Sequence, residues 1–285
     1  MKYYWKLTRP INLILTVLTQ VLFIISASRI NHSAFNIDYS NIRTRESLFT
    51  ILACIFVAAG GYVINDIFDI ETDRINKPEK LILSNHISLK SARIFYIILT
   101  AIGIACGFIA GLGMGILCSV LAVLLYFYSS DLKGEMLQGN LLISMMAGMV
   151  VYVSSRGVYN VSNTYFAEYA SIAFFITMVR EMIKDIEDID GDKAQDYKTF
   201  PIVNGIPKSK NLSLIFLAIT LGIIALLYIQ ASNLLFTSFM SVFIIPALIY
   251  VAFLIFKAKE KSEFRKISNW LKTTMFLGLF SSLFC

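Results

Sequence analysis

Asn65-Asp66-Ile67-Phe68-Asp69-Ile70-Glu71-Thr72-Asp73 stands where a long apolar run meets a basic loop. Asp185-Ile186-Glu187-Asp188-Ile189-Asp190-Gly191-Asp192 repeats its pattern later in the chain. Laid over each other, the two read Asp-Ile-x-Asp-Ile-x-x-Asp, with aspartates at i, i+3 and i+7, one face of a helix. Each copy also offers i, i+4 neighbours on that face: Asn65 with Asp69, Asp69 with Asp73, and Asp188 with Asp192. Like charges at this spacing weaken a helix. Hard divalent cations, which take oxygen ligands, would compensate. Two solvated acidic helix ends are the plainer reading. Against it, the pattern occurs twice, each time just after a membrane-length apolar segment, in a chain poor in charge.

Of 285 residues, 57% are hydrophobic and 15% charged, against about 25% charged for soluble domains. Mean hydropathy is +0.69. These values predict an integral membrane protein, and several apolar runs approach the roughly 18–20 residues of a transmembrane helix. Cys54, Cys106, Cys118 and Cys285 lie in apolar segments without paired spacing, against a zinc site or a disulfide framework. His32 and His86 stand alone, so there is no imidazole cluster. The net charge of +6 suits loop topology and lipid contact rather than nucleic-acid binding.

The predicted fold is all-α, one domain over 1–285, with nine spans near 11–27, 48–64, 94–110, 116–128, 141–153, 165–179, 212–229, 234–256 and 271–284. The first could be a signal peptide, but its length and the spans that follow favour a retained helix. Ala58-Ala59-Gly60-Gly61 predicts close helix contact, Gly111, Gly113 and Gly115 a tight turn, and Pro246 a kink. The stretch 257–272 reads as a basic loop. With the N-terminus inside, only Arg29, Arg43, Arg45 and Arg156 of the 25 Lys and Arg fall outside. That positive-inside bias places both acidic motifs on the cytoplasmic side of a cell inner membrane, where they can face one another.

Two such carboxylate clusters suit Mg²⁺, which takes a few carboxylates and fills its shell with phosphate oxygens and water. Nearby Lys and Arg would neutralise the remaining phosphate charge. A diphosphate on a lipid tail fits: head group at the metals, tail in a central cavity among the helices. The metals would stabilise the departing diphosphate, and aromatic rings could shield an allylic cation.

Asn65-Asp66-x-x-Asp69-x-x-x-Asp73, Arg74-x-Asn76-Lys77-Pro78 and the second motif ending in Asp188-x-x-x-Asp192 resemble the UbiA superfamily of intramembrane prenyltransferases. Arg180 to Asp192, Lys198-Thr199-Phe200-Pro201, and Lys133 with Gly139-Asn140 resemble most its digeranylgeranylglyceryl phosphate synthase branch. The resemblance implies Mg²⁺-dependent transfer of a prenyl group, in that branch geranylgeranyl, from an allylic diphosphate to the hydroxyl of a prenylated glycerol phosphate. It implies Asn65, Asp69 and Asp73 at one Mg²⁺ with Asp66 in support, and Asp188 and Asp192 at another with Asp185 in support. Asp69, Asp188, Lys184 and Lys133 become candidate catalytic residues, and Arg74, Lys77, Lys80, Lys184, Lys133 and Lys198 diphosphate ligands. Arg9 and Asn12 match an Arg-Pro-x-Asn start on the acceptor side. Lys80-Leu81-Ile82-Leu83-Ser84-Asn85 departs from the Arg-Pro-x-x-Ser-Gly common among relatives, since lysine keeps the charge but lacks the guanidinium fork.

The expected partners are a prenyl diphosphate, a lipid-like acceptor and membrane lipids, with no protein partner or nucleic acid implied. Two rivals remain: the same chemistry on an aromatic acceptor, and a cation-coupled transporter. Intramembrane acids mark ion routes, but here the motif acids flank the spans.

Overall fold

The computed structural model describes residues 2–29, 37–71, 82–83, 85–160, 163–231 and 233–284. Among these the chain is helical, and β structure is confined to isolated bridges such as Ile42 with Val158. The helices are α1 (Lys2–Leu7), α2 (Pro10–Ala27), α3 (Thr44–Phe68), α4 (Leu89–Ala110), α5 (Leu112–Ser130), α6 (Gln138–Tyr152) and α7 (Asn163–Glu187). After them come α8 (Ile189–Lys193), α9 (Phe200–Asn204), α10 (Ile206–Gln230), α11 (Leu234–Phe239), α12 (Ile245–Lys257) and α13 (Lys261–Ser281).

Among the described residues, six segments are long and apolar enough to cross a membrane: Pro10–Ala27, Thr44–Phe68, Leu89–Ala110, Leu112–Ser130, Ile206–Gln230 and Leu234–Lys257. The sequences of α6, α7 and α13 also fold as helices where spans were expected. But α6 has only 15 residues, and α7 and α13 carry charged turns. Much of the expected 257–272 loop is the start of α13. Its signal is a capping box: the Glu260 side chain accepts from the Glu263 backbone, and the Glu263 side chain from the Glu260 backbone.

Contacts divide the chain into two compact units. The first holds Met1–Val21, Ile42–Lys133 and Arg156–Tyr159. Within it α3 packs on α4 and α5. Small residues set that closeness: a Cβ on Gly103 would stand 2.8 Å from the Val57 backbone nitrogen, and one on Gly60 2.6 Å from Thr100 Oγ1. Gly111, at φ +148°, turns the chain from α4 into α5. The second unit holds Leu22–Asn41, Gly134–Ser155 and Asn160–Cys285. Here α7 is central, packed against α6, α10 and α13, around a core that includes Phe23, Phe166, Phe236, Leu248 and Phe264. Gly148 admits the α7 backbone, its would-be Cβ lying 2.8 Å from the Ala170 carbonyl oxygen. The residue expected to kink the chain, Pro246, follows a π turn at Met240–Ile244, in which Ile245 N–H donates to the Met240 carbonyl. A proline lacks the N–H for an i−4 bond, and the wider turn takes up the mismatch.

Gly103→Ala forces its methyl onto a backbone atom that cannot yield. It is expected to cost about 1–3 kcal/mol, read as a lower Tm of the purified protein in detergent. Gly222, with nothing within 4 Å of its would-be Cβ, is the control, and Gly222→Ala leaves Tm unchanged or raises it.

Candidate active site

In the first unit the acidic motif occupies the last turn of α3. Asp69 is the C-cap, at φ −84° and ψ 3°, its N–H donating to the Asn65 carbonyl at 2.9 Å. It is only 7% exposed. Asn65 Nδ2 donates to Asp69 Oδ2 at 2.7 Å, and Lys133 Nζ donates to the same oxygen at 2.5 Å. An amide and an ammonium therefore meet on one buried carboxylate. Lys133 was expected near a diphosphate, and the fold delivers it to a motif aspartate.

Asp66 Oδ1 accepts from Arg9 Nη2 at 2.7 Å. Arg9 has φ +51°, a region uncommon for a side chain with a Cβ, and precedes Pro10, which disfavours helical backbone before it. That turn between α1 and α2 aims the guanidinium at Asp66 and over the Tyr62 ring, 5.0 Å from its centroid. Burial opposes the Arg9 charge, but Asp66 outweighs it, with help from Tyr62 and Asp69, and the pKa rises. Of the pair assigned to an acceptor side, Arg9 thus touches the first motif through Asp66, while Asn12 is exposed on the first turn of α2. His86 is a loop residue, stacked on Tyr3 with centroids 3.9 Å apart. Asp73, Arg74, Lys77 and Lys80 lie outside the described residues.

The second motif, in the other unit, ends α7 in the same way. Asp188 interrupts the helix at φ −96° and ψ 6°, and α8 follows. Its N–H donates to the Lys184 carbonyl at 2.8 Å, and its own carbonyl accepts from Asp192 N–H at 3.0 Å. The middle aspartate of each motif therefore takes nearly the same backbone conformation, in the sparsely populated bridge region. A continuous helical face through all three aspartates was expected. In the second motif Asp192 still bonds back to the Asp188 carbonyl and stays within electrostatic reach of Asp185, and Asp73 of the first lies outside the described residues.

Asp185 is held from α6: Asn140 Nδ2 donates to Asp185 Oδ2 at 2.7 Å. Burial pushes the Asp185 carboxyl up to about 7, the Asn140 bond opposing and Glu181 and Asp192 adding. One turn earlier, buried Glu181 accepts from Arg180 Nη1 at 2.5 Å through one oxygen and from Lys184 Nζ at 3.2 Å through the other. Burial disfavours its charge, but Lys184 and Arg180 hold its pKa below the usual range. Glu187 accepts from Arg265 Nε at 2.8 Å. Lys198 is exposed, its N–H donating to the Gly134 carbonyl at 2.7 Å. Asp188 is exposed and Asp192 half-buried. Asn140, Glu181 and Lys272 were not among the expected site residues, although Gly139-Asn140 and Arg180-Glu181 belong to the quoted motifs.

The donor sets are carboxylates and carboxamides, hard oxygen ligands of the kind Mg²⁺ takes. Among the described residues no three His, Cys, Asp or Glu converge as a complete metal cage.

The sequence model of the UbiA prenyltransferase family matches residues 21–280. The chain belongs to that family. As a UbiA protein it is a prenyltransferase. It is 36% identical over 231 residues to digeranylgeranylglyceryl phosphate synthase of Methanosphaera stadtmanae, covering 80% of this chain and 84% of that one. It is 30% identical over 286 residues to the synthase of Methanothermobacter thermautotrophicus, covering 97% and 93%. Among solved structures, one of digeranylgeranylglyceryl phosphate synthase in membranes matches with a TM-score of 0.78 at 28% identity, over 99% of this chain and 96% of that one. A UbiA homolog from Archaeoglobus fulgidus, bound to GPP and Mg²⁺, shares the fold: TM-score 0.70, 17% identity, 98% and 99% covered.

Proposed function

We propose that this UbiA enzyme transfers a geranylgeranyl group from its allylic diphosphate to the free hydroxyl of a prenylated glycerol phosphate, forming an ether and releasing diphosphate. The observation that supports this most is the shared backbone of the two motifs: Asp69 and Asp188 both end a long helix at φ near −90° and ψ near 0°. Each is flanked by oxygen ligands suited to Mg²⁺. The names of relatives at 30–36% identity support the acceptor class.

Asn65, Asp66, Asp69 and Asp73 would hold one Mg²⁺, and Asp185, Asp188 and Asp192 a second. When bound, Mg²⁺ supplies electrostatic stabilisation of the leaving diphosphate. The chain's own work is to place the ligands and balance charge. Asn65 and Lys133 hold Asp69 in one rotamer, Arg9 orients Asp66, and Asn140 orients Asp185. Arg74, Lys77, Lys80 and Lys198, with Lys133, provide cations for the diphosphate. The enzyme is read as one domain crossing the inner membrane nine times, with its N-terminus and both motifs on the cytoplasmic side.

Purified enzyme given geranylgeranyl diphosphate and Mg²⁺ is offered a panel: prenylated glycerol phosphate, its phosphate-free alcohol, and aromatic acids and quinols. The expected product is the diether phosphate. Turnover confined to an aromatic acceptor would transfer the reading to that substrate class. An intact prenyl diphosphate, with an ion moved across liposomes, would end the enzyme reading.

A further inference from the structure

Beside the second motif, positive charge exceeds what its partners neutralise. Arg180 and Lys184 both bond to Glu181. Lys272, on α13, lies within electrostatic reach of Arg180, Lys184, Glu181 and Glu187. Glu187 is committed to Arg265. Asp185 bonds to the neutral Asn140 amide, and its own carboxylate charge partly offsets that of Lys184. Arg180 and Lys184 share the Glu181 carboxylate, and Lys272 adds a third cation that faces Glu181 and then Glu187. Arg180 Nε is buried and has no hydrogen-bond partner among the described residues. Crowded cations beside so few acids are costly to keep, and the net positive charge that remains would be met by a phosphate monoester, about −1.5 to −2 at neutral pH. A guanidinium with a free N–H, beside two ammoniums, supplies the donors such a dianion takes.

The position suits a second substrate rather than the diphosphate. Arg180, Lys184 and Asp188 succeed one another at i, i+4 and i+8, so the cations stand about 6 and 12 Å from Asp188 along the α7 axis. They lie toward its apolar part. A lipid whose hydroxyl approaches the reacting carbon beside Asp188 would carry its own phosphate one to two turns along this helix.

We propose that Arg180, Lys184 and Lys272 form the subsite that binds the phosphate of the acceptor lipid and selects phosphorylated over phosphate-free alcohols. This rests on the acceptor class proposed above, and it reassigns Lys184 from the diphosphate to the acceptor. Glu181 is the positioning residue, fixing Arg180 and Lys184 through its two oxygens.

The test uses the full chain in detergent, with Lys272→Gln as the main variant because Lys272 is exposed. Binding of prenylated glycerol phosphate is measured calorimetrically, without prenyl diphosphate. Steady-state kinetics follow, with that acceptor and with its phosphate-free alcohol. Lys272→Gln is expected to weaken binding of the phosphorylated lipid about tenfold and raise its KM by as much. The preference over the alcohol falls by the same factor, the KM for prenyl diphosphate is unchanged, and Lys272→Arg restores the wild-type values. Arg180→Lys, which keeps the charge but loses the fork, gives a smaller rise in acceptor KM. An unchanged acceptor KM in Lys272→Gln, or a raised KM for prenyl diphosphate instead, overturns the subsite. If wild-type protein binds the phosphorylated lipid, Lys272→Gln binds it more weakly, and no transfer occurs, the subsite stands and the proposed reaction falls. If wild-type protein does not bind it, both fall.

Discussion

Replacing Asp69 by alanine is expected to lower kcat/KM by about 10³-fold or more, the scale of removing a preorganised electrostatic group from a reacting centre. The replacement also leaves the Lys133 ammonium and the Asn65 amide without the oxygen they share. Stranding the half-buried Lys133 ammonium destabilises, so loss of activity alone is ambiguous. Asp69→Asn removes that ambiguity by keeping the shape and one carbonyl oxygen while losing the charge. It should lose nearly as much activity with a smaller change in Tm. Asp188 offers a cleaner control, being exposed: Asp188→Ala should abolish transfer at an unaltered Tm. Transfer at wild-type rates in either motif variant would remove that motif from the chemistry.

Stripping divalent cations with EDTA is expected to stop transfer, and Mg²⁺ to restore it. Mg²⁺ bound only by the folded state adds about 2.7 kcal/mol at a hundred times its Kd, so Tm should rise with Mg²⁺ and fall with chelator. The Asp185 carboxyl gives this a pH signature. Its pKa stands at about 7 in the folded, metal-free chain against an ordinary 3.8. A raised folded-state pKa contributes stability that is complete below the ordinary value. That contribution is lost as pH rises through about 7. Metal-free protein should therefore lose Tm between about pH 4 and pH 7. Mg²⁺ competes with the Asp185 proton, so half-maximal activity at pH 6 should need more Mg²⁺ than at pH 8. Full transfer in excess EDTA, or a requirement independent of pH, would contradict the assignment.

Much of this architecture is legible because a membrane imposes length. Runs of apolar residues located the helices, and Gly60 and the Gly111 turn marked close contacts. Other features depend on partners far away in sequence. Nothing local to Arg9 says that its backbone turns to meet Asp66, and nothing local to Asp185 says that Asn140 holds it. The break at Asp69 and Asp188 is invisible to a side-chain periodicity that runs straight through both. The start of α13 was misread for another reason. Lys257, Lys259, Lys261, Arg265 and Lys266 look like a loop when charge alone is counted, although Glu260 and Glu263 at capping-box spacing signalled a helix. Glu181 was quoted within a motif, but its charge balance became readable only once α7 and α13 were packed together.

Both motifs lie at the carboxyl ends of 25-residue helices. Aligned peptide dipoles there add about half a negative charge to whatever the side chains carry. Each motif is thus more anionic than its aspartates alone, and its pull on a divalent ion exceeds that of the same acids on an irregular loop. The same half-charge makes those terminal turns the first to fray when the ions are withdrawn. Hydrogen exchange in chelator should open the last turns of α3 and α7 well before their buried middles.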